Sequence, residues 1–283
     1  MNVLVTGSSG QVGRALLRHH TPQRTWAAVG TARRAPSPDG LVRHFDWTDP
    51  RSFEPALDGI DAVFLLRPPA LSDVDGIFRP FVSALERCGV ERVVFLSVQG
   101  ASPDASSVIP HAQIEALLAE RGLRTVILRP SYFMQNLSTT LAEDIRTHDR
   151  IVLPAGRAPF LWVDVDDIGA AAAAVLDRFD ELEGSAQILT GTDLLDFASV
   201  ARRMSEVLDR RIRYRSTGPV RFYLRSRSRG MGHGQSLVMT ALHTVPRFTD
   251  PPTIHGDLAD LIGRPPTTLD AFLQRERDTW LNH

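Results

Sequence analysis

The chain has 283 residues and no lysine; all 32 of its basic residues are arginine. That excludes a lysine Schiff base, a Walker-type phosphate loop and any catalytic lysine. Cysteine is almost absent too. Cys88 stands alone, so no internal disulfide can form, and its apolar helical setting makes it a candidate small core residue. A reducing cytoplasm suits such usage. Net charge is −1, so no bulk field draws the chain to nucleic acid or to an anionic membrane. No apolar run approaches a membrane span, and the N-terminus enters a strand at once, with no signal peptide ahead of it. Repeats, linkers and low-complexity tracts are missing as well. What remains is ordinary globular composition, 43% apolar and 23% charged. The length allows one extended domain or two unequal ones. Arginine-only, alanine-rich usage fits a GC-rich bacterial genome.

The most informative stretch comes first. Asn2 to Thr6 form a short apolar run that reads as a buried strand. Gly7-Ser8-Ser9-Gly10-Gln11-Val12-Gly13 follows directly. Val12, Ala15, Leu16 and Leu17 then recur at helical spacing. Strand, glycine turn and helix in that order are the context a dinucleotide site requires. Gly7 allows the tight turn, Gly10 lets backbone approach a pyrophosphate, and Gly13 lets helix and strand pack closely. Free N–H groups and the dipole at the helix start attract phosphates. The cofactor contacts expected here are Thr6, Gly7, Ser9, Gly10, Gln11, Val12 and Gly13.

Trp26 to Thr31 reads as the second strand and runs into Ala32-Arg33-Arg34. An acidic residue about 20 positions past the glycine loop would bind the ribose 2′-hydroxyl of NAD. That place is held by Arg33, with Arg34 beside it. A guanidinium can grip a 2′-phosphate bidentately, so NADP(H) is expected over NAD; the bland alternative is a pair of solvated loop arginines. Leu41 to Phe45 is a third strand, and Asp46 after it either reaches the adenine edge or caps the helix from Pro50. Asp61 to Leu66 is the fourth, closed by Arg67. A helix from Asp73 to Cys88, a strand from Arg92 to Ser97, a helix from Pro110 to Arg121 and a strand from Arg124 to Leu128 follow. Strands alternating with helices imply an α/β fold with a doubly wound parallel sheet. Ligands bind at the carboxyl ends of such strands, which puts Leu66, Arg67, Ser97 and Arg129 to Ser131 on the expected rim.

Beyond Gln135 the rhythm changes. A helix to about Thr147, a strand from Ile151 to Pro154, an alanine-rich helix within Val163 to Asp180 and a strand from Gln187 to Thr190 are expected. Phe197 to Leu208 is amphipathic, and Arg211 to Arg215 reads as a basic edge strand. Arg221 to Gly234 mixes arginine and glycine, either as a flap near an anionic ligand or as a solvated helix end. Thr268 to Trp280 is a closing helix. The expected division is a nucleotide-binding domain over 1–150, with 164–190 packing back on it, and a smaller α+β substrate domain over 191–283.

Several segments together resemble one family: Val3 to Gly13, Val94-Phe95-Leu96-Ser97, the HAQIE run from His111 to Glu115, RPSYFMQN from Arg129 to Asn136, and VDVDDI from Val163 to Ile168. The chain is similar to NmrA-like members of the atypical short-chain dehydrogenase/reductase superfamily over nearly its full length. The glycine loop is shared with many folds; the RPSYFMQN stretch is more specific. The resemblance implies a Rossmann domain binding NAD(P) and a small C-terminal substrate domain. Some members reduce quinones, dyes, imines or other conjugated compounds, and others bind the cofactor as redox sensors that regulate partners.

The superfamily's catalytic set is a serine, a tyrosine and, one helical turn on, a lysine. Ser97 matches the serine. His111 and Glu115 stand where the tyrosine and lysine would, on one helix face. His111 is a candidate proton donor, its pKa near neutrality adjusted by Glu115; otherwise a conjugated acceptor needs no dedicated acid, or the pair is a surface bystander. Tyr132 is a further candidate. Pro130 and Ser131 are expected at the cofactor. Phe133, Met134 and Asn136 are expected at an apolar substrate, with core packing or helix capping as their plainer roles. Asp166 and Asp167 read as a helix cap, not a metal site. The favoured activity is an NADPH-dependent reductase of an apolar conjugated small molecule, a quinone, ketone, ene or imine, working as a monomer or homodimer. A cofactor-binding sensor and a non-redox enzyme on the same fold are the alternatives.

Overall fold

A computed structural model describes residues 1–33, 41–104 and 106–281. It divides into two compact units. The first comprises Met1–Pro130, Val165–Leu189 and Asp257–Pro265; the second comprises Ser131–Asp164, Thr190–Gly256 and Pro266–His283. Among the described residues no helix is long and apolar enough to cross a membrane.

Six strands open the first unit: β1 (Asn2–Val5), β2 (Ala27–Ala32), β3 (Val42–His44), β4 (Ala62–Leu66), β5 (Arg92–Leu96) and β6 (Arg124–Pro130). The chain then enters the second unit for β7 (Tyr132–Phe133), β8 (Arg150–Leu153) and β9 (Phe160–Val163). It returns for β10 (Ala186–Leu189) and leaves again for β11 (Asp193–Leu195) and β12 (Arg213–Ser216). The first unit's sheet is parallel throughout, in the order β10-β6-β5-β4-β1-β2-β3. Such strands are covered on both faces and read as apolar runs; Val3, Leu4 and Val5 are fully buried, as are Ala62 to Leu65. The order reverses between β1 and β4, the switch point at which open sheets of this kind bind ligands. The helix Gln11–Arg18 lies so close to the helix Val165–Asp177 that a Cβ on Gly169 would stand 2.6 Å from that of Ala15. This is what the alanine-rich helix is for.

The domain boundary differs from the sequence expectation. Residues 131–150 belong to the second unit because β7 pairs with β9, Tyr132 against Trp162. Met134, Leu137, Leu141, Ile145 and Ile151 then sink into a core with Phe197, Phe272 and Trp280. Conversely, Asp257 returns to the first unit, where its carboxylate accepts the Ile188 N–H at 2.7 Å. The helix expected over Asp73 to Cys88 begins as a wide turn, Val74–Phe78, before the α-helix Arg79–Arg87. Pro80 has no N–H with which to close an ordinary helical bond, so the wider turn carries the chain past it. Cys88 is exposed, not core; it follows the last buried position of that helix, Leu85. Arg221 to Gly234 forms the end of one helix, Pro219–Ser228, and the start of another, His233–Thr244.

Candidate functional site

The glycine loop is a cradle built against any side chain. Gly7 has φ 68°, a left-handed conformation that glycine adopts without steric cost. Gly10 donates its N–H to Gly7 O at 2.8 Å. A Cβ on Gly13 would come within 2.8 Å of Ser8 Cα, so the helix starts hard against the turn. Side chains behind the loop fix its shape. Thr6 Oγ1 accepts the Leu66 N–H at 2.8 Å, stitching β1 to β4. Ser8 Oγ donates to Thr31 O at 3.0 Å and accepts Thr31 N at 2.9 Å. Thr6 is therefore a buried brace, while Ser9 and Gln11 are exposed at the mouth and Val12 is buried in the helix. Gly10 supplies no side-chain cap to Gln11–Arg18, and no acid stands in its first turn. The N–H groups and positive end of the helix thus face an anion with no internal competitor. These residues fit a dinucleotide pyrophosphate.

Arg33 is exposed just past β2. Its positive charge, with that of His44, helps hold the Asp46 carboxyl below its usual range, although the larger cause is hydrogen bonding from the Thr48 N–H and hydroxyl. Asp46 accepts those two at 2.9 and 2.8 Å. The cap of the following turn is instead Asp49, which accepts Arg51 N at 3.2 Å. Arg34 lies outside the described residues.

Past β4, the Arg67 guanidinium donates to Leu71 O at 2.5 Å and to His111 Nε2 at 3.3 Å. His111 is half-buried and faces a cation. Burial, and then the charge of Arg67, push its pKa down to about 3. It is consequently neutral at physiological pH, with Nε2 as acceptor and the proton on Nδ1. The sequence expectation of an imidazolium tuned by Glu115 does not describe this arrangement, because Glu115 is engaged elsewhere. Its side chain is 1% exposed and receives Arg129 Nη2 at 2.5 Å, Arg129 Nε at 3.1 Å and the Ser97 hydroxyl at 2.5 Å. Three donors from β6 and the end of β5 converge on one buried carboxylate. Ser97 has thereby spent its proton internally and offers only lone pairs. Arg129 and Glu115 stand on the expected rim and helix face; their direct pairing, with Ser97 as a further donor to Glu115, is not a pattern the sequence displays.

In the second unit, the Ser131 hydroxyl is buried with no hydrogen-bond partner among the described residues. Pro130, before it, accepts Gln99 N at 2.9 Å. Tyr132 is committed to a core. Its hydroxyl donates to His243 Nε2 at 2.9 Å, and His243 Nδ1 donates to Met239 O at 2.7 Å. Phe160, Trp162 and Phe197 pack edge-on around the tyrosine ring. Burial drives the Tyr132 pKa far up and that of His243 down to about 4. No sequence signal links residues this far apart. Met134 is fully buried in the same core, whereas Phe133 and Asn136 are half-exposed. Asp166 and Asp167 take Arg18 at 2.8 Å and Arg264 at 2.6 Å.

A parallel sheet wound in this order around an uncapped glycine cradle defines a dinucleotide-binding protein of the Rossmann class. The chain belongs to the NmrA-like family, whose sequence model matches residues 1–225. Among known proteins it is 24% identical to prestalk A differentiation protein A of Dictyostelium discoideum, over 96% of this chain and 91% of that one. It is 26% identical to agroclavine dehydrogenase of Claviceps fusiformis, over 99% of each. An NADPH-dependent quinone oxidoreductase from Escherichia coli, solved with NADPH, shares the fold with a TM-score of 0.81 at 21% identity, covering 96% of this chain and 99% of that one.

Proposed function

We propose that the chain is an NADPH-dependent reductase of an apolar, conjugated small molecule. The observation that carries this is the cradle: Gly7 in a left-handed turn, Gly13 too close to Ser8 for a side chain, and an uncapped helix start beyond them. Arg33, exposed after β2 where NAD-binding chains of this class carry an acid, supports NADPH over NADH. The pyrophosphate would rest on Gly7 to Gly13. When bound, the nicotinamide supplies a hydride.

The chain's own residues set what kind of acceptor suits it. His111 is held neutral by burial and, after it, by the charge of Arg67. Its Nδ1–H serves as a hydrogen-bond donor to developing negative charge, as a neutral histidine can. The Ser97 hydroxyl is turned to Glu115 and gives nothing to an oxyanion. A site with one neutral donor fits an acceptor that spreads its charge over a conjugated system. The names of the relatives, a dehydrogenase and a quinone reductase, agree with redox work. The same scarcity of proton donors favours a second reading, a cofactor-binding sensor that regulates a protein partner.

A panel of quinones and conjugated carbonyls, followed by loss of NADPH absorbance, tests the proposal. Turnover of at least one class is expected, with NADH a poorer donor. NADPH binding without any turnover, joined to redox-dependent capture of a defined partner, would replace the reductase reading with the sensor.

A further inference from the structure

Between Arg202 and Arg229 the sequence places ten arginines against two carboxylates, Glu206 and Asp209. One of them, Arg227, donates to Met231 O at 2.7 Å, and the second unit treats the other nine in two ways. Arg203, Arg210, Arg225 and Arg229 have carboxylate partners: Asp193 at 2.9 Å, Asp149 at 3.3 Å, and Asp144 at 2.7 Å for the last two. Arg202, Arg211, Arg213, Arg215 and Arg221 are exposed and make no ion pair among the described residues.

Two of the unpaired arginines, Arg213 and Arg215, lie on β12, which pairs with β8. The strands run parallel, with Arg213 opposite Arg150 and Arg215 opposite Val152. Side chains alternate along a strand, so Arg213 and Arg215 share one face while Tyr214 turns away to stack on Phe197. Like charges directly opposed across strands are destabilising. Asp144 relieves Arg150 only partly. It is already shared by Arg225 and Arg229, and Arg150 Nε lies 3.5 Å from it, buried and without a hydrogen bond. The fold thus gathers positive charge that it does not neutralise.

The gathered charge surrounds a hollow. His148, Asp149, Arg150, Arg211, Arg213 and Arg215 enclose about 380 Å³. An adjoining hollow of about 490 Å³ shares Arg150 and Arg215 and adds Arg221. The acid in the wall, Asp149, is paired with Arg210. Concave sites of this size take small molecules, whereas a flat basic stripe would suit a polymer. Guanidinium forks bind oxyanions bidentately, and several forks on one hollow match several charged groups.

We propose that this hollow binds a small molecule carrying two or more phosphate groups, at a site that shares no residue with the glycine cradle. The test is calorimetric titration of the full chain with pyrophosphate at low ionic strength, with citrate run in parallel. Because the cradle also attracts phosphate, three proteins are compared: the parent, Arg33→Ala and the double variant Arg213→Ser/Arg215→Ser. The double variant should lose about tenfold or more in pyrophosphate affinity, since each tenfold is about 1.4 kcal/mol. It should keep the parent's NADPH affinity and, freed of repulsion, melt higher than the parent in low salt without anion. Arg33→Ala should keep tight pyrophosphate binding. If the double variant does not fold, Arg211→Ser alone should weaken pyrophosphate. Unchanged pyrophosphate affinity in Arg213→Ser/Arg215→Ser, or in Arg211→Ser where the double variant does not fold, would overturn the site. Citrate binding as tightly as pyrophosphate would overturn the phosphate assignment.

Discussion

Glu115 offers the sharpest test of how the first unit is held. Its carboxylate is 1% exposed and takes three donors, two from Arg129 and one from Ser97. Glu115→Gln preserves volume but supplies one acceptor oxygen in place of two and points an amide N–H at a donor. The Arg129 guanidinium, 17% exposed, is left as a poorly solvated charge. Breaking one side of a buried ion pair costs about 3–5 kcal/mol. For a chain of this size each kcal/mol lowers the melting temperature by roughly 2–4 °C, so the expected fall is on the order of 6–20 °C. Thermal and urea melts on the parent, Glu115→Leu, Arg129→Met and the apolar pair Glu115→Leu/Arg129→Met close a cycle, with Glu115→Gln measured beside it. The pair should melt near the parent, because well-packed apolar residues often replace a buried ion pair without loss. Singles within about 0.5 kcal/mol of the parent, the range of ordinary surface changes, would show that the network does not hold β5, β6 and the helix between them.

Four further outcomes concern ligand and pH. Arg33→Ala should weaken NADPH by about 1.5–3 kcal/mol, the range for hydrogen bonds to a charged group, and leave NADH nearly unchanged in fluorescence titrations; equal effects on both would remove the 2′-phosphate role. Gly13→Ala must displace the turn at Ser8, so NADPH affinity should fall with only about 1–3 kcal/mol lost from stability, as calorimetry and melting would report. With the His111 pKa near 3, turnover should show no ionisation between pH 5.5 and 8, in a window about the ordinary histidine value of 6.5; a titration in that window that His111→Phe abolishes would refute the neutral assignment. The linkage for His243 has a fixed sign: its folded pKa, about 4, is below the unfolded value, so its contribution is whole above pH about 6.5 and is lost as the pH falls toward 4.

Local signals were readable and distant partners were not. The glycine loop, the parallel sheet and the helix Phe197–Leu208 could be read because strand, turn and helix periods are local properties. Cys88 was misjudged because helical periodicity says which face is apolar but not where the covered part of the helix stops. The boundary at Pro130 was missed because β7 is two residues long and is defined only by its partner, β9. Tyr132 looked like a rim residue from its place after β6. Only the folded second unit supplies His243, and with it a core role for the hydroxyl. Ser97, Glu115 and Arg129 were each noticed, yet their convergence depends on the register of β5 beside β6, Leu96 opposite Leu128, which no single-sequence pattern specifies.

The missing lysine gives these details a common logic. In the set implied by the family resemblance, a cation beside a tyrosine makes that tyrosine a better acid. Here the cation is Arg67 and its neighbour is His111. A positive charge disfavours a second one, so the same electrostatics that would activate a tyrosine disarm an imidazolium and leave a neutral N–H. At the position one turn along, a carboxylate replaces the lysine, and it turns to Arg129 and Ser97. On the reductase reading, such a site stabilises charge without delivering a proton, and protonation falls to water. A localised alkoxide would be a poor product there, and a delocalised quinol monoanion or enolate, protonated afterwards by water, a good one. Turnover should therefore rank quinones above simple ketones. A faster rate with a simple ketone than with any quinone would mean that an acid is at work that neither Ser97 nor His111 supplies.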